Sequence, residues 1–465
     1  MSIKQFTTDF QELTKHQYLR FDEKFWFTTK NIATYDYVLL KDIFYLLNGN
    51  SYTEFYTEEK TDIPYIRIGD LSFKYWIDDK DLIYLDESCS IKEDKKLRKD
   101  DLILATIGTV GKVNLARNFE GGTFSNNTTL LRMKNKRAHN AYFYEKLLQS
   151  SLMQKYISGI TSKKAQPNLQ SYDLENIKIP LVVKSTQDKI VAEIEPIEKK
   201  IKELKNKIAP AQKVINKVFA RDFGFDLKNF EEIKKIKNYY LDLSAFANNK
   251  DIRQSAKFHR EAGEFVIDQL KKITDKKIKH FLAEPIVLGK SVSPSNYDDN
   301  GDYFYVSMAN IKNWKFEGED SKLISNEYSK ENKNKTVAKN DILIARSGEG
   351  TIGKVALIDD EDLKGIFADF TMRIRLQNYN PLFAYYYFRT EYFQYLIEVN
   401  KKGLGNNTNI FPSQIQEFPM IDIPLKNQQK IVDEIKAELD KQEEMKQKIE
   451  VERNKIDEMI EKAIA

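Results

Sequence analysis

This chain of 465 residues contains one pattern twice, and that feature limits its possible folds more than any other. Asp101-Leu102-Ile103-Leu104-Ala105 recurs 240 positions later as Asp341-Ile342-Leu343-Ile344-Ala345. Gly111-Lys112-Val113 returns as Gly353-Lys354-Val355, after a two-residue insertion. Tyr65 to Leu71 aligns with Tyr305 to Ile311, and the opening Arg20, Lys24 and Phe25 with Arg253, Lys257 and Phe258. Ile179-Pro180-Leu181 matches Ile423-Pro424-Leu425, and Gln187-x-Lys189-Ile190-Val191 matches Gln428-x-Lys430-Ile431-Val432. Pairs in one conserved order mean duplication, so both halves share a fold.

Each half switches its period once. Tyr65–Ile68, Leu102–Thr106 and Thr128–Met133 are β-rich runs bounded by Gly, Asn and Asp. The spacing of Phe143, Leu147, Leu148 and Ile157 predicts a helix over Asn140–Ile157, followed by a polar loop, Ser158 to Gln170, and a short strand. The fold class is therefore α+β, with a mixed sheet plus helices in each of two similar domains.

A long helix closes each half. Ile190, Ile194, Ile197, Ile201, Leu204, Ile208, Ala211, Ile215 and Val218 alternate steps of four and three, the seam of a coiled coil. Pro196 and Pro210 fall inside it and predict a kink or break. The second copy places Ile431, Ile435, Met445, Ile449, Ile456 and Met459 in register, interrupted by Glu438, Gln442 and Glu452. Two independent surface helices would also satisfy this pattern. Duplication favours two long antiparallel coiled-coil helices separating the domains. The 29 residues from Ile190 to Val218 would then form a rod of roughly 44 Å.

Composition removes several classes. No apolar run approaches the ~18 residues of a membrane span, and Met1 to Phe10 holds no apolar signal stretch, which points to a cytoplasmic protein away from membranes. A single cysteine, Cys89, excludes a disulfide framework and a thiolate zinc site within one chain. His16, His139, His259 and His280 are scattered, and no metal site is expected.

Two motifs imitate catalysis. Gly348 to Val355 satisfies a Gly-rich phosphate-loop pattern, but Val355 replaces the hydroxyl needed for Mg²⁺ and opens a strand rather than a helix. Glu434-x-Lys436 resembles a nuclease fragment, yet it lies in the closing helix. With no nucleophile–base pair in view, no catalytic residues are expected.

Residues suited to DNA occupy the turns and loops. The first half offers Lys74, Tyr75, Trp76, Thr106, Lys112, Asn126, Asn127, Lys163, Lys164, Gln166 and Asn168. The second offers Lys312, Asn313, Trp314, Arg346, Ser347, Lys354, Arg373, Lys401, Lys402, Asn406, Asn407, Thr408 and Asn409. Amides and Arg read base edges, while Lys positions phosphates. Net charge is only +4, so any DNA-binding face is local.

The Arg20 opening, Tyr65-Ile66-Arg67-Ile68-Gly69-Asp70, the Asp-Ile-Leu-x-Ala…Gly-Lys-Val core and the closing Ile-Pro-Leu…Gln-x-Lys-Ile-Val together resemble the specificity (S) subunit of type I restriction–modification systems. The likeness covers nearly the whole chain. It implies target-recognition domains over 1–180 and 226–424, with conserved helices over 181–225 and 425–465. It further implies a bipartite double-stranded DNA target, docking of two methyltransferase (M) subunits, and restriction (R) subunits joining outside. No cofactor belongs to this chain on that basis; S-adenosylmethionine, ATP and Mg²⁺ would sit on the partners. Two other readings stay open: a specificity subunit of another DNA-modifying defence system or a methyltransferase decoy, and a self-contained nuclease or methyltransferase.

Overall fold

The duplicated Asp-x-x-x-Ala run forms the central strand of a sheet in each half, and its apolar residues are wholly buried, so the strand is covered on both faces. The computed structural model describes residues 36–162, 165–236, 238–242, 244, 253, 255–312, 314–319, 321–348, 350–403 and 408–464. They divide into two units. The first comprises the described residues up to Lys207 together with those from Met445; the second runs from Ile208 to Glu444.

The first unit contains β1 (Tyr37–Leu39), β2 (Phe44–Asn48), β3 (Tyr56–Thr57), β4 (Pro64–Ile66), β5 (Ile83–Leu85), β6 (Leu102–Ala105), β7 (Val113–Leu115), β8 (Thr123–Phe124), β9 (Thr128–Met133) and β10 (Lys178–Pro180). One antiparallel sheet runs β2-β9-β6-β7 and a second runs β3-β5-β4-β8, in which β4 and β8 are parallel. The second unit contains β11 (Val287–Leu288), β12 (Tyr303–Val306), β13 (Ile311–Lys312), β14 (Lys315–Phe316), β15 (Leu323–Ile324), β16 (Ile342–Ala345), β17 (Val355–Leu357), β18 (Gly365–Phe367) and β19 (Thr371–Ile374). Its sheet β11-β19-β16-β17 repeats the first, and its parallel pair β12 and β18 repeats β4 and β8. The duplication therefore extends to strand order. One ion pair repeats as well: the Arg132 guanidinium donates to both oxygens of Asp101 at 3.0 and 2.7 Å, and Arg375 to both of Asp341 at 2.6 and 2.8 Å.

The longer helices among the described residues are α1 (Ala141–Gln149), α2 (Ser151–Ile160), α3 (Lys184–Lys207), α4 (Ala211–Phe223), α5 (Leu227–Lys234), α6 (Glu261–Lys271), α7 (Pro381–Arg389), α8 (Glu391–Asn400) and α9 (Leu425–Ile464). The single helix expected over Asn140–Ile157 is two. Ser150 adopts an extended backbone that ends α1, and its hydroxyl accepts the Met153 N–H to start α2. Thr390 divides α7 from α8 in the same way.

The Gln of the closing motif has a definite job. Asn140 caps α1 with its side chain, while its own N–H donates to Gln187 Oε1 at 2.8 Å, and Gln187 Nε2 donates to the Val182 carbonyl at 2.7 Å. Asn380, Gln428 and the Ile423 carbonyl repeat this at 2.8 and 2.8 Å. Gln187 is buried, so Gln187→Leu strands a donor and an acceptor. We expect it to cost about 1–3 kcal/mol, seen as a lower unfolding temperature, whereas Lys189→Ala on the exposed side of α3 changes little.

The seam is bipartite. Ile190, Ile194, Ile201, Ile215, Ile431, Ile435, Ile449 and Ile456 are buried; Ile197, Leu204, Ile208 and Met445 are half-buried. The continuous 29-residue helix does not form, because the backbone leaves the helix at Ile208–Pro210 between α3 and α4. Proline has no N–H to continue it, and the freed Ala209 N–H donates to Gln442 Oε1 at 2.8 Å. Gln442, an interruption of the apolar pattern, thus supplies the acceptor the break requires. Pro196, by contrast, remains inside α3. In the second unit, α4 runs antiparallel to the first half of α9, with Ala209 at Gln442 and Arg221 at Glu434. In the first unit, buried Arg453 of α9 donates to Gln149 at 3.1 Å and lies 3.7 Å from Glu198 of α3, which also pairs with Lys146 at 2.5 Å. Burial pushes the Glu198 carboxyl up, but Lys146, Tyr142 and Arg453 outweigh it and hold it below its ordinary range.

Candidate nucleic-acid interface

Three loops meet at the end of the central strand in each unit. The turn after β6 is tight: Gly108 and Gly111 take positive φ (82° and 100°), the Gly111 N–H donates to the Ala105 carbonyl at 3.0 Å, and Gln154 Nε2 donates to the Gly111 carbonyl at 2.8 Å. The turn after β16 has the same construction, with Gly353 to Ala345 at 2.9 Å and Gln394 to Gly353 at 2.8 Å. Val355 continues as β17, so the Gly-rich stretch is a strand–turn–strand connection. Glu434 is bonded at both oxygens by Arg221, at 2.5 and 2.7 Å, which accounts for the nuclease-like fragment.

The second loop joins β8 to β9. Thr128 Oγ1 donates to the Ser125 carbonyl at 2.7 Å and locks a turn with Asn126 and Asn127 at its tip; Thr371 Oγ1 locks the Ala368 carbonyl at 2.6 Å, with Asp369 and Phe370 at the tip. The third follows the helical pair. Leu169 N–H donates to the Thr106 carbonyl at 2.8 Å and Gly108 N–H to Pro167 at 2.8 Å, while in the second unit Ile410 N–H donates to Arg346 at 2.9 Å. Finally, Thr106 N–H donates to the Asn127 carbonyl at 3.0 Å and Arg346 N–H to the Phe370 carbonyl at 2.9 Å. Backbone bonds between distant segments thus fix one loop cluster, twice.

The expected residues divide accordingly. Lys112, Asn126, Asn127, Gln166 and Asn168 lie on the first cluster; Arg346, Ser347, Lys354, Lys402 and Asn409 lie on the second. Asn126 and Gln166 are exposed. Arg346 Nε donates to the Asp369 carbonyl at 2.7 Å, which stations its guanidinium beside the tip turn.

Several expectations are corrected. Thr106 and Thr408 are buried, their backbones serving the loop ladder. Arg373 is 3% exposed and is paired with Glu284 at 2.5 Å, 89 positions away in the chain, so it braces the sheet instead of reaching DNA. Lys401 is also mostly buried and paired with Glu398 at 2.7 Å. Lys74 pairs with Glu450 at 2.7 Å, and the Lys205 ammonium sits 3.6 Å from the Tyr75 ring centre and 5.0 Å from that of Trp76. These residues face α3 and α9, with Tyr75 and Trp76 lining a cavity of about 770 Å³. Trp314 packs on the core beneath Arg389, its carbonyl accepting the Tyr385 hydroxyl at 2.7 Å. Lys312 lies on the β13–β14 hairpin, 3.9 Å from Glu317. Lys163, Lys164, Asn313, Asn406 and Asn407 lie outside the described residues, as do Arg20, Lys24 and Phe25.

Sequence reasoning missed Asp369 and Phe370, and the glycines Gly49 and Gly289 that abut the two tip turns. The available signal was the alignment of Phe124-x-x-x-Thr128 with Phe367-x-x-x-Thr371.

Each unit thus carries amides and cations on its own copy of one backbone-fixed loop cluster, and base readout in general needs polar groups held in register in this way. The chain belongs to the type I restriction modification DNA specificity domain family, whose model matches residues 33–211 and 282–453. It is a DNA specificity subunit with two recognition domains. Similar solved structures include a type I restriction–modification S subunit from M. genitalium, at 13% identity and TM-score 0.43, covering 92% of this chain and 96% of that one. The HsdS subunit from Thermoanaerobacter tengcongensis aligns at 13% identity and TM-score 0.32, covering 92% and 96%. A chain from a study of complex assembly and conformational transition of the type I R-M system aligns at 14% identity and TM-score 0.46, covering 92% and 97%. No curated protein matches the sequence.

Proposed function

We propose that the chain reads a bipartite double-stranded DNA target, one half-site per domain, and brings two methyltransferase subunits and the restriction subunits to it. The observation that carries this reading is the recurrence of one loop geometry with different side chains at its tips: Asn126 and Asn127 in the first domain, Asp369 and Phe370 in the second. A shared frame with unlike tips suits a reader of two unlike half-sites. Asn126, Asn127, Gln166, Asn168 and Asn409 are the candidates for base edges; Arg346, Lys112, Lys354 and Lys402 are the candidates for phosphates. The chain works in the cytoplasm, and S-adenosylmethionine, ATP and Mg²⁺ are held by the partner subunits. No helix among the described residues is long and apolar enough to cross a membrane.

Sequencing the modified adenines of cells that carry the complete system tests the proposal. The expected result is one methylated motif in two short parts, separated by an unread gap and lost on deletion of this subunit. A single uninterrupted motif, or methylation that survives the deletion, overturns it.

A further inference from the structure

Phe370 is 51% exposed, although the turn that carries it is tied at several points. Thr371 closes that turn through the Ala368 carbonyl, and the Arg346 N–H holds the Phe370 carbonyl at 2.9 Å. Ser291 Oγ donates to Asp369 Oδ2 at 2.6 Å, and Arg346 Nε takes the Asp369 carbonyl at 2.7 Å. The ring is therefore displayed by a rigid support, beside a guanidinium and on the cluster that carries Lys354 and Lys402. A second aromatic, Phe411, is 38% exposed and follows Ile410, whose N–H bonds the carbonyl of the same Arg346. The corresponding position of the first domain is Asn127, fixed by the same bond from Thr106.

We infer that Phe370 is a specificity-determining residue of the second domain, making an apolar contact with the C5-methyl group of a thymine in its half-site. The first domain presents the amide of Asn127 at the equivalent place, so the two half-sites are read there by different chemistry. A ring on a preorganised turn loses little freedom on docking, and a thymine methyl is the apolar group that a base edge offers. Arg346 supplies the charge complementarity that makes DNA the occupant. The inference rests on the function proposed above.

The test uses the assembled methyltransferase complex and its own target. Phe370→Ala should keep the unfolding temperature, since the ring is exposed. It should relax discrimination at one base pair of one half-site by about tenfold, leaving the other half-site unaltered. Phe370→Leu should retain most of the discrimination. Replacing the critical thymine by deoxyuridine, which lacks the methyl group, should weaken the wild-type complex and leave Phe370→Ala indifferent. The inference is overturned by an unchanged motif in Phe370→Ala, by loss spread equally over all sequences, or by indifference of the wild type to deoxyuridine throughout that half-site. If the wild type itself yields no bipartite motif, the underlying function fails rather than the role of Phe370.

Discussion

Replacing residues 226–424 with the equivalent span of another family member should change one half of the methylated motif and leave the other half and the methylation rate intact. The reason is that each unit carries its own loop cluster on its own sheets and its own core. The junctions are favourable: Gly224 ends α4 with φ of +69°, and Pro424 immediately precedes α9. Several contacts cross those junctions and decide whether the chimera folds, and two of them bear directly on the donor sequence. Phe219 of α4 stacks on Phe383 at 5.4 Å between ring centres, and Gln428 of α9 accepts the Asn380 N–H at 2.8 Å. The donor segment must therefore offer an aromatic ring at 383 and an asparagine at 380. Motif sequencing gives the answer directly. A change in both halves, or an unchanged motif, refutes the division of labour.

Gly289→Ala should destabilise the second recognition turn. A Cβ at Gly289 would stand 2.0 Å from the Ala368 carbonyl oxygen and 2.4 Å from its carbon, both backbone atoms of the tip turn. Neither can rotate away, so β11 and the turn must separate. The cost is about 3 kcal/mol or more, at the upper end of overpacking. Gly49→Ala meets the Ser125 carbonyl oxygen at 2.0 Å and should do the same to the first domain. Each variant should lower the unfolding temperature and lose selectivity in its own half-site. Gly69→Ala, where nothing lies within 4 Å, serves as the silent control. Wild-type stability and an unaltered motif in Gly289→Ala would show that the turn tolerates displacement.

Periodicity and repetition carried much of the architecture. The duplicated strand from Leu102 to Ala105 is buried and central, and most of the seam isoleucines are buried, because burial follows the local repeat of a strand or helix. The helix breaks were less legible. Pro210 marked one, but Ser150 and Thr390 end helices only because the chain there turns extended and the hydroxyl caps the next segment. Arg373 shows the harder limit: from the sequence it counts among loop residues available to DNA, while it lies in β19 and its partner Glu284 lies 89 positions away. Trp314 and Tyr75 likewise count among the residues suited to DNA, but Arg389 and Lys205 cover their rings.

By itself, the sequence determined that there are two like domains, where their buried strands and closing helices lie, and to which family the chain's motifs point. Only the tertiary structure decided which loop residues share a surface. That choice depends on bonds such as Arg346 to Phe370 and Leu169 to Thr106, and on the close approach of Gly289 to Ala368. Such contacts join segments tens of residues apart, and they leave no period in the sequence because loop backbones take their shape from what they are bonded to.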